Sequence, residues 1–209
     1  MLDHFAIVAL KPVLDAGAER IVRTGVTADV VTLAGLGVGL LGAIAIALDH
    51  TMVGLVLMLA SRVADGLDGA IARRTRPTDR GAFLDIACDF IFYAAIPLAF
   101  ALQDPEGNAL PAAVLLASFI GTGTSFLAFA VLAERRGLAS TAFPNKGFYY
   151  LGGLTEATET LLCFSAMCLF PGWFPVLACG FAALCGITLL TRLVAGWQAF
   201  GDLPEGSES

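Results

Sequence analysis

The chain reads as an all-α polytopic membrane protein with six transmembrane helices and an N-terminal amphipathic interfacial helix. Three observations carry that reading. Of its 209 residues, 57% are hydrophobic and only 14% charged, with a mean hydropathy of +0.81. Six apolar segments follow one another, each near the roughly 20 residues needed to cross a bilayer. Basic residues fall only in alternate loops, apart from two inside apolar segments. Backbone polar groups in lipid must be satisfied within the segment or by a closed barrel, so apolar runs of this length are helices. The net charge of −6 leaves no footprint for nucleic acid, and the length suits one bundle rather than several domains.

Residues 3–23 mix apolar positions (Phe5, Ile7, Leu10, Val13, Leu14, Ile21) with charge and are too broken to span. They are expected to lie on the cytoplasmic face as an amphipathic helix, interrupted or restarted at Pro12. The spans are expected near 29–48, 51–72, 82–102, 109–133, 147–170 and 173–199, a bundle over 29–199. Breakers separate them: Asp49-His50, an Arg/Pro-rich stretch at 73–80, Gln103 to Pro111, the loop 134–146, and Phe170-Pro171-Gly172. Residues 1–201 form a single membrane domain, and 202–209 a polar tail holding half of the acidic excess. No internal repeat is evident, which counts against an inverted-repeat transporter. The five cysteines form no CxxC or Cys/His pattern, so they read as reduced thiols in apolar surroundings.

Loop charge sets the orientation. Lys11, Arg20 and Arg23 precede the first span, Arg73, Arg74, Arg76 and Arg80 follow the second, and Arg135, Arg136 and Lys146 follow the fourth. The opposite loops carry no Lys or Arg. The positive-inside rule then places both termini and both basic loops in the cytoplasm. Asp65 and Asp68 fall in the inner part of the second span, and Asp85 and Asp89 in the first two turns of the third. Glu156 and Glu159 fall two to three turns into the fifth span, and Arg192 near the inner end of the sixth. The ionisable residues of the bundle converge on one layer open to the cytoplasm.

A carboxylate at the bilayer centre costs at least about 2.5 kcal/mol, so four of them at helical spacing need a compensating charge. Oxygen-only ligation favours Mg²⁺ or Mn²⁺, ions that partner substrate phosphates. Gly66 and Gly69 are expected to bare the helix face to a bulky ligand, and Arg73 offers donors to phosphate oxygens. Two divalent ions with these neighbours describe a site for a pyrophosphate or nucleotide.

The string Asp65-x2-Asp68-Gly69-x2-Ala72-Arg73-x7-Gly81-x3-Asp85-x3-Asp89 resembles the signature of the CDP-alcohol phosphatidyltransferase family at all its fixed positions. The spacer before Gly81 is one residue shorter than in the phosphoinositol branch. The resemblance implies an integral enzyme of a bacterial-type inner membrane, a homodimer with its site facing the cytoplasm. It implies transfer of the phosphatidyl group from CDP-diacylglycerol to a small polar alcohol, phosphorylated or not, with release of CMP. Asp65, Asp68, Asp85 and Asp89 would hold two divalent ions, Mg²⁺ or Mn²⁺, and Asp89 would also serve as general base. Gly69, Arg73 and Thr78 would contact the nucleotide, together with Asp29 and Thr32 at the start of the first span.

The acceptor side is more open. Arg192 sits where branches that take phosphorylated alcohols carry a basic residue for the acceptor phosphate. Lys146 and Arg135 either snorkel to the interface or join it there. Glu156 and Glu159 either pair with Arg192 or Lys146 or recognise acceptor hydroxyls or an amine. Arg62, one turn before Asp65, is expected to orient that carboxylate. Phe90 replaces the Arg or Lys that often follows the last aspartate, which leaves the acceptor unassigned. Two alternatives stand beside this reading. One is a divalent-cation transporter, which the lack of acids in the outer half of the spans disfavours. The other is an enzyme taking a CDP-linked headgroup to diacylglycerol, which the short chain disfavours.

Overall fold

The structure, a computed structural model, describes residues 3–136 and 154–201. All regular structure among them is helical: α1 (Asp3–Val22), α2 (Ala28–Ala47), α3 (Thr51–Arg74), α4 (Asp79–Gln103), α5 (Pro105–Arg135), α6 (Ala157–Leu169) and α7 (Phe174–Phe200). A single 3-10 turn, Pro171–Trp173, leads into α7. Four of these segments are long and apolar enough to cross a membrane: α2, α4, α5 and Pro171–Phe200. At 24 residues α3 has the length, but Arg62, Asp65, Asp68, Arg73 and Arg74 lower its hydropathy. The sequence expectation differs in three places. The break expected from Gln103 to Pro111 narrows to Asp104, because α5 starts at Pro105 and runs through Pro111. Pro12 does not interrupt α1, which runs through it; its missing N–H removes one hydrogen bond, and packing against α3 holds the remainder. The fifth apolar segment is helical among the described residues only from Ala157, because Glu156 and Glu159 form a capping box that starts α6 there.

Helices in lipid gain nothing from the hydrophobic effect when they associate, so close approach through small residues governs their packing. The buried face of α2 is Thr32, Gly35, Gly39, Gly42, Ala43 and Ile46, a stripe at three- and four-residue intervals. A Cβ on Gly35 would lie 3.0 Å from Ala64 Cβ, and one on Gly39 would lie 2.8 Å from Ser61 Oγ and from the Phe92 ring. At Gly42 it would meet backbone, Gly54 O at 3.1 Å and Met58 N at 3.2 Å. Thus α2 lies backbone to backbone on α3, and its other flank carries α4. Helices α3 and α4 are positioned chiefly through α2 rather than through each other.

The main core joins α2, α3, α4, α5, α6 and α7 around Phe92, Phe100, Phe164 and Phe174, all fully buried. Phe100 stacks on Phe174 with centroids 4.6 Å apart. A smaller cluster lies under α1, where Ala18 meets Ala70 and Ile71 of α3. There Leu14 fills the space beside Gly66, and Leu67 fills the space beside Gly17. The outward faces carry Leu33, Leu41, Ile44, Val56, Leu98, Ile120 and Leu190, all exposed, as a lipid-facing surface requires. Trp173 and Trp197 stand exposed at opposite ends of α7, the placement of interfacial anchors.

Gly42→Leu is expected to lower stability by about 1–3 kcal/mol, because the obstructing atoms are backbone and cannot turn aside. Gly37→Leu, where nothing lies within 4 Å, is expected to be neutral. Thermal unfolding of both variants in one detergent checks the pair.

Candidate active site

The carboxylates stand where α3 and α4 face each other. Asp65 and Asp68 lie one turn apart on α3, and Asp85 and Asp89 one turn apart on α4, spacings that keep each pair on one helix face. One oxygen from each of Asp65, Asp68 and Asp85 lies within 4.8 Å of the other two, a spread a divalent cation can bridge. Asp68 is buried, Asp65 partly so, and Asp85 exposed, so the cluster is rooted in the bundle and open on its α4 side. The donor set is hard oxygen throughout, which fits Mg²⁺ or Mn²⁺.

Neighbouring groups fix these carboxylates. Thr32, at the end of the small-residue stripe of α2, donates its hydroxyl to Asp68 Oδ2 at 2.5 Å. Its hydroxyl is thus engaged with a carboxylate of the cluster. Asp89 is tied across the helices: Arg62 Nη1 donates to Asp89 Oδ1 at 2.5 Å and lies 3.5 Å from Asp65 Oδ1. The expectation that Arg62 serves Asp65 is thus incomplete, because its shorter bond reaches the other helix. Its guanidinium sits 3.7 Å over the Phe92 ring, and Nη2 donates to Ser61 Oγ at 3.3 Å.

The residues assigned to the nucleotide lie at the starts of α2 and α4 and in the last two turns of α3. Asp29 pairs with Arg80 Nη2 at 2.5 Å, joining the starts of α2 and α4. Thr78 caps α4, its Oγ1 accepting from Gly81 N at 3.0 Å. A Cβ on Gly81 would crowd Thr78 Oγ1 and Asp29 Oδ1, so a side chain there would press on both. Arg73 Nη1 curls back beside Gly69, 3.2 Å from where a Cβ would stand. Gly66 behaves otherwise than expected: Leu14 of α1 occupies the space a Cβ would take, so this glycine seats a helix rather than a ligand.

The acceptor candidates are spread more widely. Arg192 lies between α7 and α5, with Nη1 donating to Thr122 O at 3.0 Å. Arg135 is exposed in the last turn of α5. Its neighbour Arg136 donates to the carbonyls of Ala199 and Phe200 at 3.3 and 3.1 Å and so caps α7. Lys146 lies outside the described residues. Glu156 caps the N-terminus of α6 and Glu159 stands in its first turn, with Glu156 N donating to Glu159 Oε2 at 3.3 Å. Phe90 packs into the space beside Gly123 of α5, which gives an apolar residue at that position a packing reason. The cross-helix reach of Arg62 and the support from Ser61 were missed in the sequence. Spacing along one helix shows which residues share a face but not what the adjacent helix brings opposite.

A helical membrane bundle with three carboxylates converging between two of its helices defines a membrane protein fitted to hold a divalent cation. The chain belongs to the CDP-alcohol phosphatidyltransferase family, whose model matches residues 25–191. It is thereby a membrane-embedded transferase of phospholipid biosynthesis. It is 48% identical over 203 residues to "Inner membrane protein YnjF" of Escherichia coli (strain K12), spanning 97% of this chain and 98% of that protein. It is also 28% identical over 204 residues, 95% of each chain, to archaetidylinositol phosphate synthase of Methanothermobacter thermautotrophicus. Its fold is similar to Mycobacterium tuberculosis phosphatidylinositol phosphate synthase solved with CDP-DAG bound, at TM-score 0.74 and 24% identity, covering 92% of this chain and 99% of that one. The same protein with manganese and citrate gives TM-score 0.71 at 23% identity, over 93% and 96% of the two chains.

Glu159→Gln is expected to keep both stability and activity, since an amide closes a capping box as a carboxylate does. Glu159→Ala is expected to lose about 1 kcal/mol. Thermal unfolding and product formation, measured together, separate capping from an acceptor contact, which Gln would also impair.

Proposed function

We propose that the protein transfers the phosphatidyl group of CDP-diacylglycerol to a small polar alcohol with release of CMP, using two divalent ions, Mg²⁺ or Mn²⁺. The observation that carries this reading is the convergence of Asp65, Asp68 and Asp85 within 4.8 Å inside the stretch that the family matches. The bound CDP-DAG in one structure of similar fold and the manganese in another support the donor and the metal. Two relatives are named for making phosphatidylinositol phosphate and archaetidylinositol phosphate. Together with the basic Arg192 of α7, they favour a phosphorylated alcohol of the inositol phosphate class as acceptor.

In this reading Asp65, Asp68, Asp85 and Asp89 hold the ions, which when bound offset the pyrophosphate charge and make its phosphorus more electrophilic. Thr32 fixes the Asp68 carboxylate for that task, as outer partners of metal ligands do. Gly69, Arg73, Thr78 and Asp29 line the approach of the cytidine nucleotide, with Arg73 placed for its phosphates. Asp89 takes the proton of the acceptor hydroxyl as its oxygen bonds to the phosphatidyl phosphorus. The bond between that phosphorus and the CMP oxygen breaks, and CMP departs with the electron pair. Arg192 and Arg135 stand on the acceptor side, where basic residues suit a phosphate.

The arrangement in the membrane follows from the same layer. α3 completes a span despite its charges, because Arg62, Asp65 and Asp68 turn to the site and α2. Arg73 and Arg74 lie in its last turn, Arg74 within 4.0 Å of Asp15 of α1. Counting α3 and α6 with the four longer segments gives six spans, with α1 as the interfacial amphipathic helix. The basic loops put the termini and the site on the cytoplasmic side of a bacterial-type inner membrane, and the protein works as a homodimer.

Purified protein with Mn²⁺ and CDP-diacylglycerol is expected to release CMP only when an acceptor is present. Glycerol 3-phosphate, inositol 1-phosphate, inositol and serine would be added singly. Asp89→Asn is expected to reduce that release at least about 100-fold, the contribution of a general base. Release that is indifferent to every acceptor, or undiminished in Asp89→Asn, would sink the assignment.

A further inference from the structure

The Arg62 guanidinium occupies a place that the reaction assigned above does not use. It stands in the gap between α3 and α4 with its side chain 13% exposed. It bonds Asp89 of α4 at 2.5 Å and lies 3.5 Å from Asp65 on its own helix. Among the described residues, no other Lys or Arg forms an ion pair with any of the four aspartates. The plane of the group is fixed from three sides: the Phe92 ring lies 3.7 Å beneath it, the Tyr93 ring 5.8 Å away, and Ser61 Oγ accepts from Nη2. Its Nε is buried and makes no hydrogen bond, so the side chain has accepted a lost bond to place its Nη1 on Asp89. That geometry is specific to a planar fork, and lysine does not reproduce it.

Four carboxylates drawn into one half-buried layer repel one another, and the layer must exist before a divalent ion can enter it. Asp89 lies outside the set of three whose oxygens converge, and the residue holding it aside is Arg62. We propose that Arg62 is a positioning residue for Asp89. It fixes that carboxylate on α4 beside the three-carboxylate cluster and supplies the resident positive charge that keeps the layer assembled before metal arrives. The proposal rests on reading Asp89 as one of the metal-holding and proton-accepting set, and it adds what holds that residue in place. Arg62 does not contact substrate; it acts through Asp89.

A purely structural role, packing on Phe92, would support the metal-free and metal-bound protein equally. A counter-charge is needed most when the ions are absent, and this difference is the test. Thermal unfolding of the purified full chain is followed after chelation and again with saturating Mn²⁺. The variants are Arg62→Met, Arg62→Lys, Asp89→Asn and the double variant Arg62→Met/Asp89→Asn. Removing one partner of a part-buried pair is expected to lower the metal-free melting temperature of Arg62→Met by roughly 5 °C or more. Mn²⁺ is expected to restore most of that loss, and in the Asp89→Asn background the same change is expected to cost less than half as much. Arg62→Lys, which keeps the charge without the fork, is expected to fall between wild type and Arg62→Met. It also carries the metal comparison if Arg62→Met does not fold. Equal losses with and without Mn²⁺, or an undiminished loss in the Asp89→Asn background, would overturn the proposal. These readouts involve no CMP. Intact coupling of Arg62 to Asp89 in a protein that releases no CMP would therefore defeat the reaction assigned above and leave this inference standing.

Discussion

Negative charge drawn into an apolar bundle is the constraint on which the rest of this structure depends. Asp65, Asp68, Asp85 and Asp89 occupy two facing helices of a protein whose buried residues are mostly apolar. Carboxylates in such a setting persist only when compensated. Each has been given partial relief: a hydroxyl from Thr32 on Asp68, a guanidinium from Arg62 on Asp89 and Asp65, and solvent on the open Asp85 side. One guanidinium against four carboxylates leaves a deficit of positive charge that divalent cations match. The chemistry of the family and the folding requirement thus point to the same occupants.

The glycine stripe of α2 converts that requirement into geometry. Backbone contact between Gly42 and the Gly54–Met58 turn, and between Gly35 and Ala64, sets α3 at a fixed height along α2. Thr32 continues the same face, so the height that seats the glycines also brings its hydroxyl to Asp68. α4 leans on the other flank of α2, which places Asp85 and Asp89 opposite the α3 pair while keeping the two helices apart. α1 packs on the same stretch of α3, with Leu14 filling the space beside Gly66. The cluster is therefore held by helices.

Much of this was legible in the chain itself. Hydropathy and loop charge placed α2, α3, α4, α5 and α7 within a few residues of their observed ends, and the aspartate spacing put each pair on one helix face. What spacing along one helix does not contain is the partner across the gap. Arg62 reads as a neighbour of Asp65, and only the register of α3 against α4 brings it to Asp89. Gly66 and Gly69 look alike in sequence, yet one faces a helix and the other an arginine of its own helix. Glu156 and Glu159 looked like buried charge because an apolar run continues on both sides of them; their three-residue spacing was a capping signature hidden within that run. Thr78 carried a similar signal, an N-cap residue three before Gly81, beneath its motif position.

The central claim is that the carboxylates of α3 and α4 form a divalent-metal site, and counting the metal tests it most directly. Purified protein would be titrated with Mn²⁺ in the presence of CDP-diacylglycerol, free ion being followed by its electron paramagnetic resonance signal. Wild type is expected to bind two ions per chain, with Asp68→Asn weakened at least about tenfold, the scale on which even outer partners of metal ligands act. Wild-type protein that holds Mn²⁺ no more tightly than Asp68→Asn would contradict the account.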